Sequence, residues 1–92
     1  MEKLALHMFA YGRVQGVGFR FFVRSQASAY GIQGWVRNRP DGSVEVHAEA
    51  DKAMLKAFAD RVKSGPTFGR VDELTQEWRE ASNDYSSFSI DF

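Results

Sequence analysis

The stretch LALHMFAYGRVQGVGFR, residues 4–20, predicts a strand that runs through a glycine-rich loop into a helix. Residues 4–11 alternate between two faces, one of them rich in leucine and methionine, as in a strand buried on at least one side. Beyond the loop, apolar residues recur at helical spacing up to Tyr30, and Gly31 is a natural helix stop. The loop therefore connects two elements that both have a buried face.

The loop itself has the composition of an anion-binding site. Its glycines are Gly12, Gly16 and Gly18, and arginines lie at both ends, Arg13 and Arg20. Glycine lets the backbone approach a ligand closely, and consecutive free N–H groups form a concavity that binds anions. The helix N-terminus adds partial positive charge, and an arginine in its first turn can bind two oxygens of one phosphate. We therefore predict a phosphate-binding loop here.

Two further strands are predicted around a turn in the middle of the chain. Residues 32–38 form the first strand, and the Pro-Asp-Gly sequence at 40–42 is a turn by its residue chemistry. In the strand after the turn, apolar residues alternate with Glu45, His47 and Glu49. This alternation predicts one face in the core and one face in water.

The second half of the chain predicts another helix and another strand. Asp51 is expected to cap the helix, and Ser64-Gly65-Pro66 ends it. Residues 71–80 are expected to form a fourth strand, with Leu74 and Trp78 facing inward.

A short last strand follows from the alternation of Phe88, Ile90 and Phe92, and Phe92 is expected to pack against the protein. The element order is then βαββαβ with an extra C-terminal β-strand. This order predicts the α/β (α+β) class and a ferredoxin-like sandwich, with an antiparallel sheet and two helices on one face.

A second motif, GWVRN at residues 34–38, accompanies GRVQGVGFR at residues 12–20. In these two motifs, and in length and element order, nearly the whole chain resembles the acylphosphatase family. The resemblance implies a single acylphosphatase-like domain over residues 1–92. It also implies an enzyme that hydrolyses the carboxyl-phosphate bond of acyl phosphates to carboxylate and inorganic phosphate, without metal or cofactor.

The resemblance also implies which residues form the site. Arg20 matches the arginine that holds the phosphate, and Asn38 matches the asparagine that positions the attacking water. A right-handed strand–helix–strand unit brings its two strands parallel, so both residues should lie at one edge of the sheet. The phosphate-binding loop would comprise Gly12, Arg13, Val14, Gln15, Gly16, Val17, Gly18 and Phe19.

The charge distribution agrees with an anionic ligand, although the formal net charge is zero. Residues 1–40 hold six basic and one acidic side chain, whereas residues 41–92 hold six basic and eleven acidic. Basic side chains clustered near the glycines attract anions. We therefore expect three kinds of ligand: a small acyl phosphate as the substrate, inorganic phosphate, and other anions.

Three other classes of function deserve comparison. A sheet that binds single-stranded RNA needs exposed aromatics and a basic face, and an acidic third strand without an RNP-like segment argues against it. An ATP-binding P-loop would require Gly-Lys-Ser/Thr after the glycines, and this sequence has no such tripeptide there. Domains of this family also occur fused in hydrogenase-maturation carbamoyltransferases, so a carrier or regulatory role with carbamoyl phosphate stays open.

Composition narrows the remaining possibilities. The chain has no cysteine, which excludes disulfides, zinc–thiolate sites and cysteine nucleophiles. No apolar run reaches the length of a membrane span, and the N-terminus has no signal-peptide pattern. His7 and His47 have no partner spacing that indicates a metal site. We expect a cytoplasmic monomer without nucleic-acid or membrane partners.

Overall fold

The first strand, β1, runs through the middle of a five-stranded sheet. The structure, a computed structural model, describes residues 2–92. The elements in chain order are β1 (Lys3–Arg13), α1 (Phe19–Ala29), β2 (Gln33–Asn38), β3 (Val44–Asp51), α2 (Lys52–Ser64), β4 (Arg70–Glu80) and β5 (Phe88–Asp91). Neither helix is long and apolar enough to cross a membrane in this part of the chain.

The strand order β4-β1-β3-β2-β5 confirms the ferredoxin-like class. The first four strands form the predicted antiparallel arrangement, but β5 pairs parallel with β2. The sequence predicted β5 as an extra C-terminal strand without giving its direction, and the structure shows it parallel to β2. The reason is topological: β4 runs antiparallel to β1, so it ends where β2 begins, and the chain returns alongside β2 in the same direction.

One face of the sheet carries the core, and both helices cover it. The predicted apolar face of β1 is buried there together with the inner stripe of α2. The largest fully buried side chains include Phe19, Phe58, Leu6, Met8 and Leu55. Burial of one such side chain contributes about 1.5–3 kcal/mol, so this layer is the main source of stability.

The ends of α2 agree with the sequence. The Asp51 carboxylate accepts a hydrogen bond from the Met54 backbone N–H at 3.0 Å and caps the helix, as predicted. At the other end Gly65 ends the helix with φ +71° and ψ 174°, a backbone conformation that glycine adopts without steric cost.

Gly34 shows why glycine is required within β2. Its φ is +141°, and a Cβ at this position would lie 1.9 Å from the His47 carbonyl oxygen on β3. Any side chain would therefore push the two strands apart. Gly34 therefore sets the close approach of β2 to β3.

The outer face of β3 is not the water-exposed face that the alternation predicts. Glu45 and Glu49 are buried, Glu49 completely, and His47 is half-buried. The segment that connects β4 to β5, residues 81–87, crosses over this face. Ser82 and Asn83 in this crossover both donate hydrogen bonds to Glu49. A polar face can be buried when its hydrogen bonds are made within the protein.

Two aromatic residues are also more exposed than predicted. Trp78 lies opposite Leu6, on the helix-facing side, yet it is 38% exposed because β4 is an edge strand. The Lys52 ammonium, 5.9 Å from the ring centroid, is the cation over it. Phe92 is 92% exposed and does not pack into the core, because β5 ends at the rim of the sheet.

Candidate active site

The glycine-rich loop presents free backbone N–H groups at one end of the sheet. It connects β1 to α1, and Gly18 is the N-cap of α1 with φ +75°. In the described chain, no backbone N–H from Gln15 to Phe21 donates a hydrogen bond to another residue; the first to do so is Phe22, to the Gly18 carbonyl. These groups, at a helix N-terminus, are available to an anion.

The members of the predicted phosphate-binding loop have different surroundings. Gly12 and Arg13 belong to β1, and a Cβ on Gly12 would lie 2.4 Å from the Arg70 carbonyl oxygen on β4. Val14 and Phe19 are buried core residues, and Val17 packs partly against that core. Exposed backbone at the mouth of the loop comes from Gly16 and Gly18, where a Cβ would meet only open space.

Arg20 and Asn38 line one cavity at the same end of the sheet. The cavity has a volume of about 300 Å³, and its lining residues are Arg20, Arg37, Asn38, Asp91 and Phe92. β1 and β2 are both antiparallel to β3, so their C-terminal ends lie at the same edge. The structure therefore brings together the two residues that the sequence predicted to meet.

Arg20 has no ion pair within residues 2–92, although its neighbours on β2 do. The contact recorded for its guanidinium is the Phe92 ring, whose centroid lies 4.9 Å away. An arginine without a carboxylate partner can donate its hydrogen bonds to a ligand. It lies in the first turn of α1, directly after the loop that presents the free N–H groups.

Asn38 carries an unsatisfied acceptor. Its Oδ1 atom is buried and accepts no hydrogen bond from any described residue, and it is the one buried side-chain polar atom of this kind there. Leaving such an atom without a donor costs about 1–3 kcal/mol. Asn38 lies opposite Val44 on the helix-facing side of the sheet, which explains how its side chain comes to be buried near α1.

Asp91 and Phe92 are lining residues that sequence reasoning did not identify. The parallel pairing of β5 with β2 places Asp91 opposite Arg37. The alternation in residues 88–92 predicted a strand, but it did not predict which strand of the sheet it would pair with. Asp91 also brings a negative charge to the cavity, so the basic field expected from residues 1–40 is weakened there.

Arg37 and Arg39 flank Asn38, and both bind the buried carboxylate of Glu45. Arg37 Nε donates to Glu45 Oε1 at 2.8 Å, and an Arg39 terminal nitrogen donates to the same oxygen at 3.3 Å. Burial alone would raise the pKa of Glu45, but hydrogen bonds from Arg37 and His7 outweigh it and hold the pKa below its usual range. Much of the charge of these arginines is therefore compensated within the protein.

The sheet face that no helix covers is called the helix-free face, and two histidines on it form a hydrogen-bonded chain with Glu45 and Glu49. His7 Nε2 donates to Glu45 at 2.7 Å, and His47 Nε2 donates to Glu49 at 2.8 Å. The two Nδ1 atoms lie 3.2 Å apart, and a hydrogen bond between them requires one of the two imidazoles to carry a second proton. Burial is the main reason why the pKa of His7 is lowered.

Glu49 is the most strongly bound carboxylate of that chain. Burial alone would raise its pKa, but hydrogen bonds from His47, Ser82 and Asn83 outweigh it and lower the pKa to about 2. Among residues 2–92, no group of three His, Cys, Asp or Glu side chains could hold a metal ion. This network has the character of a structural support, and its own groups satisfy it.

A larger cavity, of about 480 Å³, lies at the opposite end of the sheet. It is lined by Glu2, Leu4, Asp51, Lys52, Ala53 and Lys56. Its polar groups are charges on the protein surface and the helix-capping Asp51. The smaller cavity, with its unsatisfied amide oxygen and unpaired guanidinium, is the candidate active site.

Comparison with known proteins identifies the family. A family profile described as acylphosphatase matches residues 6–90. The chain belongs to the acylphosphatase family. Members of this family hydrolyse acyl phosphates, so the predicted family and the predicted class of hydrolase are confirmed.

Individual relatives agree over almost the full length. An acylphosphatase of Bacillus velezensis is 46% identical over 97% of this chain and 99% of its own. The crystal structure of acylphosphatase from Bacillus subtilis superimposes with a TM-score of 0.93 at 38% identity, covering 97% of this chain and 99% of that one. The fold and its strand arrangement are therefore those of the family.

A larger protein contains a similar domain. HypF from T. kodakarensis matches with a TM-score of 0.84 at 27% identity, over 97% of this chain but 12% of the HypF chain. The similarity shows that this fold also occurs within longer chains.

Proposed function

We propose that this protein hydrolyses the anhydride bond between a carboxyl group and a phosphate in the cavity between Arg20 and Asn38, by attack of a water molecule that Asn38 positions. The observation that carries the proposal is the buried Asn38 Oδ1 atom, which has no donor among the described residues, in the same cavity as an unpaired arginine. The Asn38 oxygen can accept a hydrogen bond from a water molecule, and the Arg20 guanidinium can donate hydrogen bonds to a phosphate.

Arg20 and the loop would bind the phosphoryl group. The free N–H groups from Gln15 to Phe19 would donate to its oxygens, and the guanidinium would bind two of them at once. Charge develops on these oxygens during phosphoryl transfer, and preorganised donors stabilise it without reorganisation. We expect these groups to suffice without a metal or cofactor.

Asn38 would position the water but not deprotonate it. Its Oδ1 atom accepts a hydrogen bond from water, and its amide does not titrate, so it is not a general base. The leaving group is a carboxylate, which is a weak base and needs no proton near neutral pH. The water proton then passes to the phosphate or to solvent, and catalysis consists of positioning and charge stabilisation.

The physiological setting is part of the proposal. The substrate is a small acyl phosphate, with inorganic phosphate or another anion as a competing ligand. We infer that the protein works as a cytoplasmic monomer, without a nucleic-acid or membrane partner. The arginines over the half-buried aromatics Phe9 and Trp35 support this inference, because Glu45 compensates their charge instead of leaving it for nucleic acid.

Hydrolysis of benzoyl phosphate, measured as phosphate release in the presence of a chelator, tests the proposal. Wild type should hydrolyse the substrate, and Arg20→Ala should lose at least ~10²–10³-fold in kcat/KM, the usual effect of removing one transition-state donor. Asn38→Ala should reduce kcat while inorganic phosphate still binds. The matched control is Arg24→Ala, which removes the same charge one turn later, where Arg24 lies over Phe21.

The outcomes separate the parts of the proposal. Full turnover by Asn38→Ala would show that the water is positioned by another group. An equal loss in Arg24→Ala and Arg20→Ala would reduce the role of Arg20 to general electrostatics. A folded wild type that binds phosphate but releases none from benzoyl phosphate would leave an anion-binding domain and refute hydrolysis.

A further inference from the structure

The two halves of the candidate active site lie on different segments of the chain. The cradle of N–H groups belongs to the β1–α1 loop, whereas Asn38 ends β2, and β3 lies between β1 and β2 in the sheet. In-line attack requires the bound phosphorus and the water to keep a fixed separation, and a misplacement of about 1 Å can cost ~10²-fold in rate. A link between the loop and the end of β2 is therefore valuable for catalysis.

Gln15 makes such a link with its side chain. Its Nε2 atom donates one hydrogen bond to the Arg39 carbonyl at 2.8 Å and a second to the Ser43 carbonyl at 2.9 Å. Arg39 follows Asn38 directly, and Ser43 precedes Val44, the residue paired with Asn38 across the two strands. The amide therefore binds both ends of the turn that follows Asn38.

The turn that Gln15 binds is itself rigid. The Arg39 N–H donates to the Ser43 carbonyl at 2.9 Å, and the Gly42 N–H donates to the Arg39 carbonyl at 3.1 Å. Asp41 accepts hydrogen bonds from both the N–H and the hydroxyl of Ser43. Both carbonyls therefore keep a backbone donor when the Gln15 amide is removed, so the turn does not depend on Gln15 for its fold.

No other side chain of residues 14–18 hydrogen-bonds to this turn in the part of the chain that is described. We propose that Gln15 is a positioning residue, which holds the phosphate cradle at a fixed distance from Asn38 so that phosphorus and water are aligned. This inference rests on the proposed function. It assigns to the Gln15 side chain a role separate from that of its backbone in the cradle.

Two substitutions test this role by different means. Gln15→Met keeps the length of the side chain and removes both donors. It should lower kcat for benzoyl phosphate by ~10–100-fold. Inorganic phosphate should still inhibit with a constant within about threefold of wild type, because Arg20 and the loop N–H groups are retained. Thermal unfolding of each variant shows that the protein assayed is folded.

Gln15→Glu adds a signature that a structural defect would not produce. The carboxylate faces two carbonyl oxygens and repels them, but the protonated acid donates to one of them. The kcat of Gln15→Glu relative to wild type should therefore rise as the pH falls below about 5, where a carboxyl beside two acceptors is protonated. Gln15→Met should show no such rise. Gln76→Glu, the same change at an exposed position on β4, is the control.

Several results would overturn the inference. Wild-type kcat in Gln15→Met would show that the link does not matter for turnover. Parallel loss of kcat and phosphate affinity would show that the loop has collapsed instead of shifting. A flat relative pH profile for Gln15→Glu would refute the hydrogen-bonding role. An inactive wild type that still binds phosphate would refute the proposed function itself, which distinguishes that failure from these three.

Discussion

The cavity at the end of the sheet and the helix-free face of the sheet contain similar polar groups, but only one of them satisfies its own hydrogen bonds. In the cavity, Asn38 Oδ1 has no donor among residues 2–92 and Arg20 has no carboxylate partner. On the helix-free face, His7 and His47 each donate to a glutamate, and Glu49 accepts four hydrogen bonds.

This difference in hydrogen bonding distinguishes a candidate active site, the cavity, from a structural network, the helix-free face. A buried polar group without a partner costs free energy, so its retention suggests that a ligand or a water supplies the partner. A network whose groups satisfy one another stabilises the fold and has little left to offer a ligand. We therefore expect substitutions in the cavity to change activity, and substitutions in the network to change stability.

The largest effect should come from Arg20→Lys. We expect kcat/KM for benzoyl phosphate to fall by ~10²–10³-fold, because an ammonium cannot replace the two-pronged contact of a guanidinium with phosphate. The free energy of unfolding in urea should stay within about 0.5 kcal/mol of wild type, since Arg20 has no ion pair to lose. Activity close to wild type would show that a point charge is enough.

Glu49→Ala should have the opposite effect to Arg20→Lys, with a large loss of stability and little change in kcat. Glu49 is fully buried, and removing its carboxylate leaves the donors of His47, Ser82 and Asn83 without this acceptor, so we expect a loss of about 3 kcal/mol in the free energy of unfolding. The kcat of the folded fraction should change by less than about threefold, because Glu49 does not line the cavity. The control is Glu77→Ala on the exposed edge strand. A strong loss of kcat without loss of stability would contradict the division between site and support.

The pH dependence of stability should report the same network. The pKa of Glu49 is lowered from 4.5 to about 2 in the folded protein, so its contribution is complete above pH 4.5 and is lost as the pH falls towards 2. In Glu49→Gln the loss of unfolding free energy across this pH range should be smaller than in wild type by about 3 kcal/mol. His7 acts in the same direction from pH 6.5 downward, because burial lowers its pKa. An unchanged acid slope in Glu49→Gln would assign it to other carboxylates.

Asp91→Asn should produce the smallest effect. The carboxylate lines the cavity without contacting Arg20 as an ion pair, so its repulsion of a phosphate is screened by solvent. Removing its charge should tighten phosphate binding by about twofold in calorimetric titration, and more at low salt. Asp84→Asn, in the exposed crossover, should leave the affinity unchanged. Weaker binding in Asp91→Asn would indicate that Asp91 organises the cavity.

Much of the fold could be predicted because local patterns agreed with one another. Alternation in β1, helical spacing after Gly18 and the Asp51 cap each placed an element where the structure has it. The meeting of Arg20 and Asn38 followed from the handedness of one strand–helix–strand unit. Their roles in catalysis stay predictions that kinetics must test.

Other features depend on which segments become neighbours. The parallel partner of β5 places Asp91 at the cavity. The crossover between β4 and β5 buries Glu49, which alternation alone assigned to water. The Gln15 amide finds two carbonyls more than twenty residues away. None of these contacts has a signature in the local sequence.

The sequence by itself determined the element order, the family and the two motifs, because periodicity, glycine positions and caps act over a few residues. Only the tertiary structure decided which polar groups would be satisfied. Hydrogen bonding of a buried group depends on its partners in space, and for Glu49, Asn38 and Gln15 those partners, present or absent, belong to distant segments.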